Sequence, residues 1–282
     1  MHLGSGFGVY LEIGLWVWDA VVSAMPTIHS TAIVSPDAEL AEDVVVGPFA
    51  LIDGPAVIGP SCHIGPRATI SGKVTMGANN RIGTGSIIGG EPQDLGFTPA
   101  LDSGVVMGEG NRIFEYVTIH RSASDGGNTV IGDENFLMTQ CHFGHDCQVG
   151  DKNVVANAAL FAGHVTLGSH TVIGGAATFH QFIHVGDYAL AQGMAGFSLD
   201  VPPYCIGHKR NELAGLNVIG LRRAGFSPDE RKAIKSAYAA LFQNDLSRPD
   251  AIALAKSKVE SEPALKLIDA VENPSQKGVL RR

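Results

Sequence analysis

Ile131-Gly132, Val149-Gly150, Leu167-Gly168, Ile173-Gly174 and Val185-Gly186 stand on one six-residue register between Ile131 and Phe197, each aliphatic residue followed four places later by a small one. A period this strict means one structural unit copied along the chain, each copy unable to bury its apolar face alone. Six residues make one short strand and its corner. Three such units close a triangular coil of about eighteen residues, so the reading is a left-handed parallel β-helix. Residues eighteen apart then stack, and only the first and fifth places of each hexad point into the prism.

The register extends back from Ile131 to Ile28 through Val34, Leu40, Val46, Ile52, Ile58, Ile64, Ile70, Met76, Ile82 and Ile88. It breaks at Glu91 to Val105, which carries Pro92, Pro99 and Gly104, and restarts one residue out of phase at Met107. A second excursion runs from Arg121 to Val130. Long excursions from a solenoid are surface loops, and such loops carry function disproportionately.

Val201-Pro202-Pro203 is read as the close of the solenoid. Beyond it the period turns helical: Ser227-Pro228-Asp229-Glu230 supplies an N-cap, a proline at the first position and a Glu three residues after the cap. Ile234, Ala237, Tyr238 and Leu241 recur at helical spacing. The spacing predicts a further helix over Asn211–Arg223 and one or two over Pro249–Val271. Residues 1–24 stand outside the repeat, lack an early Lys or Arg, and fit neither a signal peptide nor a membrane span. They read as a non-native or disordered extension, with Met25 as the natural start. The domains are therefore expected at 25–203 (β-helix) and 204–282 (helical).

The chain has 282 residues, 45% of them hydrophobic, which suits a globular protein. Its 35 glycines are read as strand corners that need a positive φ. A formal charge of −8 argues against nucleic acid bound over a broad surface. Cys62, Cys141 and Cys147 occupy fifth places, so free buried thiols and a reducing, cytoplasmic setting are expected.

Of the eleven histidines, none in the register takes an inward place; His120, His142, His145, His164, His180 and His184 read as corner or outward residues. Adding eighteen to His145 reaches Gly163, and adding eighteen to Asp146 reaches His164. An imidazole base beside a backbone N–H with no side chain in the way suits acyl transfer, with proton removal at one atom and an oxyanion donor at another. No Ser or Cys is placed as a nucleophile, which favours direct attack by the acceptor. Two other readings of the same residues are open: solvated surface histidines, or a zinc site using His142 and His145, or His180 and His184, with His170 as a third ligand.

Six stretches carry a resemblance: Val117-Thr118-Ile119-His120-Arg121, His142-Phe143-Gly144-His145-Asp146-Cys147, Ala162-Gly163-His164-Val165, His180-Gln181-Phe182, Asp200-Val201-Pro202-Pro203-Tyr204 and Asn217…Leu221-Arg222-Arg223. In this order they resemble the acyl-carrier-protein–UDP-N-acetylglucosamine O-acyltransferases that open lipid A synthesis. The resemblance covers Ile28 to about Phe226. It implies a homotrimer with sites in clefts between prisms and no cofactor or metal. His145 would be the general base, Asp146 its support and the Gly163 amide the oxyanion donor. His120, His142, His164, His180 and Gln181 would line the cleft, Asp94 would hold the sugar, Asn217 and Arg223 the nucleotide, and Gly193 with Met194 would set acyl length. Adjacent strand residues point to opposite sides, so Asp146 can orient His145 only if the chain bends there as a corner.

The sequence departs from the family pattern at Gly96 (commonly Lys), Ile219 (often Glu) and Ala224 (frequently Arg). A 3-amino sugar acceptor, giving an amide, is thereby a rival. A zinc hydratase of the carbonic-anhydrase kind and a non-catalytic trimeric scaffold are others. Lys209, Arg210, Arg222, Arg223, Arg231, Lys232 and Lys235 cluster in an otherwise acidic chain. They are either ordinary helix-surface charge or a docking surface for an acidic carrier protein.

Overall fold

The computed structural model describes residues 25–281; the 1–24 extension lies outside the described residues. Three parallel sheets form the faces of a left-handed prism. The first has 11 strands, from Thr27–Ile28 to Glu212–Leu216; the second has 9, from Ile33–Val34 to Gly196–Phe197; the third has 8, from Glu39–Leu40 to His184–Val185. Each coil visits the three sheets in turn, and Val149, Leu167 and Val185 stack in register as expected. The two excursions lengthen their coils without disturbing the pairing. Met76 pairs with Met107, 31 residues on, and Met107 with Ile131, 24 residues on.

Inside, aliphatic first-place residues from Val46 onward are excluded from water almost completely, and Phe143, Phe161, Phe179 and Phe197 stack as a column with centroids 4.7, 4.6 and 5.3 Å apart. Burying each such side chain stabilises the fold by about 1.5–3 kcal/mol. One corner carries a buried polar ladder: the Asn80 carboxamide oxygen accepts from the Asn111 amide, Asn111 from Asn135, Asn135 from Asn153, and Asn153 from Thr171, at 2.9–3.0 Å. Each rung satisfies a backbone donor that the corner leaves unpaired.

The corners correct the expectation for glycine. Positive φ falls on the fourth place of the hexad and is taken by non-glycine residues, among them Arg67, Asp146, His164, Phe182 and Met194. The second-place glycines are there for clearance. A Cβ on Gly65 would lie 2.6 Å from the Ile82 carbonyl oxygen, and one on Gly150 would lie 2.9 Å from the Gly168 carbonyl carbon.

The first sheet continues past Pro203 through Cys205–His208, which pairs antiparallel with Glu212–Leu216. Residues predicted as the start of a helix from Asn211 are thus a strand, and only α1 (Val218–Arg223) is helical there. Then come α2 (Pro228–Phe242), α3 (Arg248–Lys256) and α4 (Glu262–Glu272). The predicted capping box at Ser227 and Glu230 is formed. The tail returns to the solenoid, where Val279 bridges to Asp200 and Arg281 to Glu212. Cys62, Cys141, Cys147 and Cys205 are free and buried, and burial pushes the Cys147 thiol up to about 12. Among the described residues no helix is long and apolar enough to cross a membrane.

Candidate active site

The corner between the second and third sheets builds the site. Phe143-Gly144-His145-Asp146 turns there, and the positive φ of Asp146, 60°, swings its carboxylate back beside the preceding ring. Asp146 Oδ2 lies 2.7 Å from His145 Nδ1, so the bend that the pair requires is present. The Ser122 hydroxyl donates to Asp146 Oδ1, and the Ala123 amide donates to Oδ2 at 3.1 Å. Burial alone would raise the Asp146 pKa. The hydrogen bonds from Ser122, His145 and Ala123 together outweigh it and hold the carboxyl below its ordinary value.

With Nδ1 donating to a carboxylate, His145 leaves Nε2 as an acceptor. One coil on is Gly163, where an added Cβ would lie 2.6 Å from both Nε2 and Cε1 of that ring. At another corner the third-place amide donates to the third-place side chain of the next coil, as Asp133 does to Asp151 and Asp151 to Ser169. Among the described residues the N–H groups of His145 and Gly163 meet no acceptor. By the same geometry they point along the corner toward the next coil.

The cleft has a volume of about 930 Å³. Its lining unites His120, His142, His145, Gly163, His180, Gln181 and Met194 from the expected set. Asp94, in the first loop, reaches within 4.0 Å of His145 Nε2 and is itself held by the Gly96 amide at 2.6 Å. His164 stands edge-on to His145, with centroids 5.0 Å apart, and its Nε2 lies 3.7 Å from Asp146. Gly193 is not among the cleft-lining residues, whereas its neighbour Met194 is 86% exposed within it. Asn217 and Arg223 do not line this cleft. Asn217 caps α1, accepting from Gly220 and donating to the Tyr188 carbonyl, and Arg223 is exposed in the last turn of that helix.

Two histidines read as corner or outward residues are nonetheless buried: His145 is 5% exposed and His120 9%. They point out of the prism, but the two loops fold over this corner. Arg121 fastens them, donating to the Pro99 and Leu101 carbonyls while stacking 4.9 Å over Phe97. Burial, reinforced by His142 and His145, lowers the His120 pKa to about 4, and burial lowers that of His142 as well. In both the neutral ring is favoured; His142 Nδ1 pairs with the Thr118 hydroxyl at 2.8 Å, whereas the buried His120 Nδ1 meets no partner among the described residues.

Sequence reasoning missed Ser122, Thr129 and Ser198. Ser122 lies 24 residues before Asp146, the length of the one coil enlarged by the second loop, so a fixed step of eighteen passes it by. Lys209 and Arg210, read as part of a docking surface, instead also line the far end of the cleft. His145, Asp146 and His164 bring three possible metal-ligand atoms within 4.8 Å of one another. In that set, however, Asp146 is already committed to His145 Nδ1, Ser122 and Ala123.

The coiled prism, with a histidine–carboxylate pair beside a side-chain-free glycine, has the architecture of a hexapeptide-repeat transferase. Residues 55–90 match the model of bacterial transferase hexapeptide repeats, and residues 200–280 match that of the second domain of UDP-N-acetylglucosamine O-acyltransferase. The acyl-[acyl-carrier-protein]–UDP-N-acetylglucosamine O-acyltransferase of Trichlorobacter lovleyi is 47% identical over 90% of this chain and 99% of its own. That of Thermodesulfovibrio yellowstonii is 39% identical over 91% and 100%. The solved UDP-N-acetylglucosamine acyltransferase of Francisella novicida superposes with a TM-score of 0.87 at 33% identity, covering 91% of this chain and 94% of its own. The O-acyltransferase from Moraxella catarrhalis gives 0.86 at 37%, covering 90% and 99%. The chain belongs to the UDP-N-acetylglucosamine O-acyltransferase family of enzymes.

Proposed function

We propose that the chain transfers a 3-hydroxyacyl group from acyl carrier protein to the 3-hydroxyl of UDP-N-acetylglucosamine, the first step of lipid A synthesis. The carrying observation is the 2.7 Å pair of His145 and Asp146, whose free Nε2 faces the side-chain-free position at Gly163. His145 Nε2 takes the sugar hydroxyl proton as that oxygen attacks the thioester carbonyl. The resulting oxyanion accepts from the Gly163 N–H. The carbonyl reforms as the carbon–sulfur bond breaks, and the imidazolium returns its proton to the departing thiolate. Asp146 holds the tautomer and stabilises the transient imidazolium.

Asp94 binds the sugar from above the base, and neutral His120 and His142, with His180 and Gln181, line its pocket. Asn217 and Arg223 belong to a nucleotide subsite completed in a cytoplasmic homotrimer, since neither lines the cleft of its own prism. Val154, Leu160 and Val172, apolar and 37–45% exposed on the solenoid surface, supply an interface for such a ring. The basic residues from Lys209 to Lys235 steer the acidic carrier. Turnover with acyl carriers of several chain lengths, offered UDP-N-acetylglucosamine and its 3-amino analogue in parallel, tests the assignment. Preference for the amino sugar would replace ester formation with amide formation, and no turnover of either would remove the proposal.

A further inference from the structure

Asp146, His164 and Phe182 occupy the same corner place in three successive coils, each with a positive φ, so their side chains form one column. Phe182 lies flat against His164, centroids 4.6 Å apart and planes within 10°. The next coil is two residues short: Val201, not residue 203, bridges to Val185, and Asp200 falls over His184 instead of over Phe182. The place beyond Phe182 is filled from elsewhere in the chain. Lys277 of the C-terminal tail sets its ammonium 5.7 Å from the Phe182 ring centroid.

That tail is anchored. The Asp200 carboxylate, 4% exposed, accepts from the Ser275 amide and hydroxyl at 2.6 Å each. The Asp200 amide donates to the Gly278 carbonyl and its carbonyl accepts from Leu280. Lys277 is thus held between two fixed points, at the end of a column whose other end is the carboxylate that orients His145.

We infer that the C-terminal tail is a positioning element of the active site: Lys277 covers Phe182, Phe182 fixes the plane of His164, and His164 confines Asp146 and the His145 ring. This rests on His145 being the base. A cation over an aromatic face contributes about 0.5–1 kcal/mol, a two- to fivefold effect on a rate. None of Asp146, His164, Phe182 and Lys277 lines the cleft, so the effect falls on kcat and leaves KM alone.

The test uses the full chain with Lys277→Met, which keeps the aliphatic stem, and Lys277→Arg, which keeps the cation. Expected are a kcat about two- to fivefold lower in Lys277→Met with unchanged KM and a melting temperature lower by no more than about 4 °C, near-normal kcat in Lys277→Arg, and a shift of the His164 imidazole NMR resonances in the Met variant only. Wild-type kcat and unmoved resonances in Lys277→Met would overturn the inference. So would equal losses of kcat and folded protein in both variants, which would make the tail a structural strap. His145→Ala serves as the companion variant. Near-normal turnover there would remove the base assignment, while the His164 resonances would still decide the coupling.

Discussion

Gly163 stands one coil beyond His145 at a distance that admits no side chain: a methyl group on its α-carbon would meet the imidazole Nε2 at 2.6 Å. Gly163→Ala must therefore displace the ring or the neighbouring corner, and with either the proposed pairing of base and oxyanion donor is disturbed. A fall in kcat of about 10²–10³ is expected, the size associated with losing one oxyanion donor. Gly196→Ala, in the same cleft but 3.3 Å from the Thr178 hydroxyl, is the comparison and should retain far more turnover. Equal losses in the two would mean that cleft volume is what matters.

His145→Ala should lower kcat by about 10²–10⁴ while sugar binding persists. The buried position changes what is expected of stability. Removing a ring that is 5% exposed takes from Asp146 one of its three donors, a hydrogen bond to a charged group worth about 1.5–3 kcal/mol. Calorimetry should register this, and His145→Gln should recover part of the stability but none of the rate.

Folding should weaken as pH falls from about 6.5 toward 4. The folded pKa of His120 is about 4, against an ordinary value of 6.5. Above that ordinary value both states hold a neutral ring; between the two values the unfolded chain binds the extra proton, so acid favours unfolding. His142 acts in the same direction. Asp146 adds a further loss below the ordinary carboxylate range, because its folded pKa is depressed. Melting curves of His120→Gln should depend less on pH across this window than those of the wild type; parallel curves would contradict a buried neutral His120.

Gly96→Lys restores a charge common in the family next to Asp94. The Gly96 amide holds Asp94 Oδ1 at 2.6 Å, and a Cβ there would lie 3.1 Å from that oxygen, a close but adjustable contact. The substitution should alter acceptor KM severalfold while kcat stays within about twofold. No change in either would place Gly96 away from the acceptor.

Gly193 does not itself line the cleft, but a longer side chain there, next to the cleft-lining Met194, should crowd it, so Gly193→Met should shift preference toward shorter acyl groups, each excluded methylene being worth about 0.8 kcal/mol, roughly fourfold. Met194→Ala should shift it toward longer ones, since that side chain lines the cleft. Hydroxyacyl carriers of ten, twelve and fourteen carbons in competition would read both, and an unchanged order would mean that the chain leaves by another route.

The stacking of Gly163 over His145 and His164 over Asp146 was legible because those coils have the uniform length of eighteen residues. Where coil length changes, legibility fails: Ser122 was hidden by a coil of 24 residues and the Lys277 contact by a coil cut short. Burial of His120 and His145 was not legible, because a hexad pattern says which way a residue points from the prism but not what folds over it. Asn211–Leu216 misled in another way. Its few apolar residues suit a helical or an extended reading, and pairing with Cys205–His208 decides for the strand.

Both insertions leave the prism at the corner where His145 turns, one coil and two coils before it. Neither alters the register of the sheets on either side. On the proposed assignment, the first of them makes acceptor recognition separately heritable from proton transfer, whereas the second carries Ser122 and Ala123, which hold Asp146. A lineage can lengthen, shorten or recompose the loop bearing Asp94 and Gly96 while the coils bearing His145 and Gly163 stay untouched. The departure at Gly96 is a change of this kind. Exchange of this first loop between family members is accordingly a route to new acceptors that keeps the coils bearing His145 and Gly163.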